Sequence, residues 1–139
     1  MSHDEVLQHV EKIVEDMGLL LVDVNLFQAG RRKVLRVLVD RRGRVTLDEC
    51  AEVSRAIGGA VDTLNLIEDS YTLEVSSPGI GRQLATPNDW ARCLDRKIEV
   101  RTENGEFTGI LSASGNGVLL FEDGMEIELD SILAAREVI

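Results

Sequence analysis

The stretch YTLEVSSPGIGRQL, Tyr71 to Leu84, holds the reading of the chain together. Tyr71, Leu73 and Val75 alternate with Thr72, Glu74 and Ser76, the period-2 pattern of a strand with one face buried. Ser77-Pro78-Gly79 then predicts a type II turn, because proline presets φ at the second turn position and glycine accepts the positive φ that follows. A strand that ends in such a turn also ends a domain. The boundaries expected from it are an N-terminal α/β domain over residues 1–81, a linker over 82–86 and a second domain over 87–139.

Upstream of the strand, Ser2 with Glu5 three positions on has the form of a capping box, and Val6, Leu7, Val10, Ile13, Val14 and Met17 follow at helical spacing up to Gly18. Leu20, Val22, Val24 and Leu26 predict one face of a strand ending near Phe27. Ala29-Gly30-Arg31-Arg32 reads as a turn, and Val34 to Asp40 as the returning strand of an antiparallel hairpin. Thr46, with Glu49 at the box position, predicts a second helix whose buried stripe is Leu47, Cys50, Ile57, Val61 and Leu64 with the small Ser54 among them. Gly58-Gly59 weakens its last turns, and close packing on a sheet would be one reason to keep them small. The order αββαβ, with a three-stranded sheet and two helices on one face, buries all these stripes.

Downstream, Thr86-Pro87 predicts a helix start, with Trp90 and Leu94 as its packing residues. Strand-like runs follow at Lys97 to Thr102, Glu106 to Ser112, Val118 to Phe121, Met125 to Leu129 and Ala134 to Val138. Asn104-Gly105, Asn116-Gly117 and Asp123-Gly124 separate the first four, and a single helical turn at Asp130-Ser131-Ile132 precedes the last. Five short strands with such turns predict a small SH3-like β-barrel, with Gly109 allowing a sharp bend. The fold class is thus α+β.

Of the 139 residues 44% are hydrophobic and 29% charged, a globular composition. No apolar run approaches the ~20 residues of a membrane helix. The opening MSHDEV lacks the basic and apolar regions of a signal peptide, so a cytoplasmic location is expected. Cys50 and Cys93 are far apart, with no CxxC and no nearby histidine, which predicts buried free thiols rather than a zinc or redox pair. His3 and His9 have only Asp4 and Glu5 near them, short of a metal set. Ser76 and Ser77 have no base partner and no GxSxG context. Pro78-Gly79-Ile80-Gly81 lacks the lysine and spacing of a phosphate loop. The expectation is no catalytic residue, no cofactor and no metal, hence a protein that is not an enzyme.

A net charge of −10 argues against wrapping bare nucleic acid as the main activity. The exception is local. Arg31, Arg32, Lys33, Arg36, Arg41, Arg42 and Arg44 are seven of fifteen basic residues, and with Asp40 as the only acid the segment carries +6. One reading is that charge keeps an exposed edge strand soluble. The other is a surface for ribosomal RNA or an acidic protein, arginine being suited to bidentate phosphate contacts. Few aromatic residues interleave with the charges, which disfavours base stacking. In the barrel, inward Met125, Ile127 and Leu129 would place Glu126, Glu128 and Asp130 on the outer face near Glu122 and Asp123, a surface suited to a basic protein or simply solvated.

LLVDV at Leu20–Val24, LRVLVD at Leu35–Asp40, VTLDECAEVSRAI at Val45–Ile57, YTLEVSSPG at Tyr71–Gly79 and the F-x-G-x-L run at Phe107–Leu111 together resemble the bacterial ribosome maturation factor RimP family over essentially the whole chain. The resemblance implies an N-terminal α/β domain joined to an SH3-like barrel, and a non-enzymatic assembly factor that binds the free or immature small ribosomal subunit. It implies contact with a small-subunit ribosomal protein; ribosomal RNA is the further partner that the basic segment suggests, and a monomer off the membrane is expected. Candidate ribosome-binding residues are the seven basic residues above with Ser76, Ser77, Pro78, Gly79 and Arg82. Gly81 and Gln83 depart from the family's SSPGxDRPL, which predicts a looser linker. The alternative is a regulatory protein that binds RNA directly through the basic hairpin.

Overall fold

The computed structural model describes residues 3–139, and the proposed capping contact of Ser2 lies outside them. The backbone falls into two compact units. One gathers residues up to Asp40 with Val45–Pro78, and the other takes Arg41–Arg44 and Gly79–Ile139.

In the first unit, α1 (His3–Asp16) is followed by β1 (Leu20–Ala29), β2 (Arg32–Asp40), α2 (Leu47–Leu64) and β3 (Tyr71–Ser76), the αββαβ order expected. Gly18, at φ 77°, ends α1 with paired bonds from Gly18 N to Glu15 O and from Leu19 N to Val14 O, a Schellman closure that a side chain would strain. Asn65 closes α2 in the same way at φ 51°, with Leu66 N donating to Val61 O. At the other end of α2 the capping box of Thr46 and Glu49 is present in both directions. The sheet order is β1-β2-β3, with β1 antiparallel to β2 and β2 parallel to β3.

Val6, Val10 and Val14 of α1, Cys50, Val53, Ile57 and Val61 of α2, and Leu35, Val37 and Val39 of β2 form one buried cluster. Three expectations shift. A bulge between Leu21 and Asp23 moves the strand phase, so Leu21, Val24 and Leu26 pack on the core where Leu20 and Val22 were expected. Leu47 is 89% exposed and Leu64 47%, because the stripe of α2 is longer than the surface beneath it, and Val53 supplies the missing contact. A Cβ on Gly58 would lie 4.0 Å from Leu73 Cδ2 and one on Gly59 in open space, so close packing does not require glycine at either position.

The second unit has α3 (Pro87–Arg92), β4 (Lys97–Thr102), β5 (Gly105–Gly115), β6 (Val118–Phe121), β7 (Glu126–Glu128), a 3-10 turn at Leu129–Ser131 and β8 (Ile132–Glu137). All five strands pair antiparallel in the order β7-β6-β5-β4-β8, a five-stranded sheet with β7 and β8 at its ends. Asn116 and Gly117, at φ 55° and 77°, make the two-residue turn that the dipeptide promised between β5 and β6. The core gathers Leu84, Trp90, Cys93, Ile98, Val100, Leu111, Leu119, Phe121 and Ala135.

Gly109 does not mark the bend. It stays in register opposite Ile98, and β5 changes partner at a bulge between Leu111 and Ala113. What glycine provides is room. A Cβ there would stand 2.9 Å from Phe107 Cε1 and 3.2 Å from Phe121 Cδ1, where the two rings meet edge-on at 4.9 Å. Met125, expected inward, is 45% exposed, while Ile127 and Leu129 do pack on the core.

Residues 82–86 were expected to form a loose linker, but they are built into the second unit. Leu84 is buried with its N–H on Ala135 O at 2.8 Å, and Gln83 bridges to Arg136. The turn sits elsewhere too. Gly79 has no positive φ, and Ile80-Gly81 turns instead, with Gly81 at φ 97°. Cys50 and Cys93 are free and buried, and burial pushes both thiols up.

Candidate functional site

The basic segment that is continuous in sequence is divided in the fold. Arg31, Arg32, Lys33 and Arg36 stand on the β1–β2 hairpin of the first unit, whereas Arg41, Arg42 and Arg44 belong to the second unit. Gly30 turns the hairpin at φ 64°, pairing Ala29 with Arg32 and leaving Arg31 and Arg32 exposed at its tip.

Further down the hairpin the charges have partners. Lys33 Nζ lies 3.3 Å from Asp69 Oδ2, and Arg36 Nε donates to Glu74 Oε2 at 2.9 Å across the parallel β2–β3 register. The Arg36 guanidinium also sits 5.0 Å over the Phe27 ring, a cation–π contact that fixes its plane on the open face of the sheet. These pairs are half-exposed and of the kind worth at most ~1 kcal/mol, so a phosphate can compete with the carboxylate for the same donors.

The loop residues are committed to the fold of the second unit. Arg42 Nε donates to Asp95 Oδ2 at 2.8 Å; that hydrogen bond raises the arginine and holds the Asp95 carboxyl below the usual range. Arg44, at φ 74°, pairs with Glu137, whose other carboxylate oxygen is 3.4 Å from Arg96 Nη1. Arg96 Nη2 donates to Arg41 O at 2.9 Å. Arg96 and Glu137 are both buried, so this pairing is structural.

Ser76, Ser77 and Gly79 are exposed at the end of β3, with Pro78 and Arg82 half-buried. The sequence reading missed the acids that answer the basic run, Asp69, Glu74, Asp95 and Glu137, and the Phe27 platform. Glu74 alone left a trace, as the exposed acid of the Tyr71 strand. On the second unit Glu122, Asp123, Glu126, Glu128 and Asp130 are all exposed. Among the described residues no cluster of His, Cys, Asp or Glu is arranged to hold a metal ion, and no helix is long and apolar enough to cross a membrane.

Comparison with known families finds that residues 9–81 match the RimP N-terminal domain. The chain belongs to the RimP family. The match takes in nearly all of the first unit, from α1 through β3 to the Ile80-Gly81 turn, and includes the whole basic hairpin. RimP is a family of ribosome maturation factors, so the exposed Arg31 and Arg32 belong to a protein whose partnership is ribosome-related.

Proposed function

We propose that this RimP protein is a non-enzymatic, monomeric, cytoplasmic assembly factor that binds the free or immature small ribosomal subunit and supports its maturation. The observation that carries the reading is the match to the RimP N-terminal domain over residues 9–81, a stretch that includes the hairpin and its exposed Arg31–Arg32 tip. Arg31, Arg32, Lys33 and Arg36 contact ribosomal RNA backbone; Ser76, Ser77 and Pro78, at the other end of the β2–β3 register from the hairpin tip, form a separate contact of the first unit, and Gly79 and Arg82 contribute from the second. A small-subunit ribosomal protein is the second partner. Arg42 and Arg44 act mainly within the second unit, because their charges are already engaged with Asp95 and Glu137, and Arg41 is tied to the same unit through its carbonyl, which accepts from Arg96.

The second unit is read as an SH3-like barrel domain whose ladder runs from β7 to β8. Two domains that dock on separate subunit surfaces give two modest affinities joined by a high effective concentration. The alternative, a regulator that grips naked RNA with the full +6 segment, loses support because Lys33, Arg36, Arg42 and Arg44 face acids. Deleting the gene and sedimenting lysates tests the proposal. Precursor small-subunit RNA should accumulate and mature subunits should fall; normal levels of both would reject it.

A further inference from the structure

The end of the five-stranded sheet carries an open groove of about 400 Å³ between β7 and the β4–β5 turn. Phe107, Met125 and Ile127 make its apolar part, Glu106, Glu126 and Glu128 its charged part, and no basic side chain is among the described residues that line it. The backbone beside the groove is unspent. Phe121 N donates to Met125 O, and Leu129 N donates to Gly117 O, both at 2.9 Å, with Ile127 opposite Leu119. Residues 125, 127 and 129 therefore turn their backbone groups to β6, and the alternation of an antiparallel ladder turns those of Glu126 and Glu128 the other way. Ser131 Oγ occupies the Glu128 carbonyl at 2.7 Å, which leaves the Glu126 N–H and C=O and the Glu128 N–H available on the open edge.

We propose that this edge takes up a basic, extended protein segment as an added strand, with its lysines or arginines on Glu106, Glu126 and Glu128 and one apolar side chain between Phe107, Met125 and Ile127. Backbone hydrogen bonds supply the affinity and alternate side chains the selection, as in other strand additions. Charge decides against the other occupants. A nucleic acid would bring phosphates to three glutamates, and a second copy pairing β7 with β7 would set Glu126 and Glu128 against their own kind. The inference rests on the reading above of a protein that works by adhesion. Its test uses no ribosomal particle, so peptide binding and subunit binding can fail separately.

The experiment titrates the full chain with the synthetic peptide acetyl-KVKLKVK-amide, reading affinity by calorimetry and location by amide NMR. Saturable binding is expected, with shifts and slowed hydrogen exchange concentrated at Glu126 and Glu128. The pair Glu126→Gln and Glu128→Gln should weaken binding about five- to tenfold through lost surface pairs. Glu126→Pro, which removes only an N–H not used in the β6–β7 ladder, should cost about a further fivefold beyond Glu126→Gln. If proline perturbs the fold, the same peptide N-methylated at alternate residues asks the question of the wild-type protein and should bind at least tenfold more weakly. Equal binding of the N-methylated peptide, shifts centred on the β1–β2 hairpin, displacement by poly(U), or sedimentation showing a dimer that the same substitutions dissolve would each overturn the proposal.

Discussion

The two units bury different things. Among the described residues the first hides one polar side chain, Asp40, whose Oδ1 takes the Val45 N–H at 3.1 Å, and otherwise fills its core with valine, leucine, isoleucine and Cys50. The second hides Asp89, Arg92, Arg96 and Glu137 beside a smaller apolar cluster. Apolar packing tolerates a change in pH, whereas a buried ion pair holds only while both members are charged and mutually placed. One chain thus contains a unit held by shape and another held partly by ionisation. The single tryptophan, Trp90, is buried in the second unit and the single tyrosine, Tyr71, lies in the first, so each can be followed by its own chromophore.

Asp89 is where the contrast is largest. One carboxylate oxygen accepts from Ala85 N at 2.9 Å and Thr86 N at 3.1 Å, and the other from Arg92 Nε at 3.1 Å. Burial alone would push this carboxyl up, but the two backbone N–H groups and the Arg92 guanidinium outweigh it and hold it below its ordinary value. A depressed carboxyl contributes stability that is complete above its unfolded pKa of about 4 and is lost as pH falls through the lower folded value. Asp89→Ala should destabilise the second unit by roughly 3 kcal/mol, on the scale of a broken buried pair. Urea titrations read by Trp90 emission should show it, with the Tyr71 transition unmoved. Asp89→Asn should also flatten the acid side of the Trp90 stability profile. A mutant with unchanged Trp90 midpoints would remove the distinction between the units.

A purely steric prediction sharpens the same boundary. Gly109→Ala places a methyl within 3 Å of the Phe107 ring and should cost about 1–3 kcal/mol, again in the Trp90 transition alone. Phe107→Leu in that background should recover part of the loss, since the colliding ring is then gone. Failure to recover would mean that Gly109 matters through its backbone.

The same division appears in the charges. Arg31 and Arg32 stand exposed, and Arg42 and Arg44 are engaged with Asp95 and Glu137. Reversing Arg31 and Arg32 to glutamate should weaken small-subunit binding about tenfold, reduce its salt dependence and leave both unfolding transitions in place. Arg44→Ala should do the opposite, lowering the Trp90 midpoint with little change in binding. If both variants behaved alike, the basic segment would be one functional patch after all.

How much of this was legible beforehand depends on range. The capping box at Thr46–Glu49, the helix start at Thr86-Pro87, the Asn116-Gly117 turn and every strand of both sheets follow from neighbours a few residues apart, and each is present. The bulge at Leu21–Asp23, the inward role of Leu84 and the acids that answer the basic run depend on pairings 36 to 93 residues apart or on partners that alternation does not name. Periodicity reports which face a residue takes, and it is silent on where the surface beneath that face ends, which is why Leu47 and Leu64 read as core. The candidate site suffered in the same way. Seven basic residues could be counted in the sequence, but the acids facing four of them came only with the fold.

The smallest expected effect concerns the unit held by shape. Gly59 lies mid-helix in α2, exposed, and an added methyl there meets no atom within 4 Å. Glycine in a helix interior costs about 0.5–1 kcal/mol relative to alanine because its unfolded backbone has more freedom to lose. Gly59→Ala should therefore stabilise the first unit by up to about 1 kcal/mol, seen as a later Tyr71 and far-ultraviolet transition while Trp90 stays where it was. Gly58→Ala should gain about as much, since its methyl would meet Leu73 Cδ2 at 4.0 Å, an ordinary van der Waals contact. A gain that moved the Trp90 transition as well would mean that the units unfold together, and that shape and ionisation support a single cooperative structure.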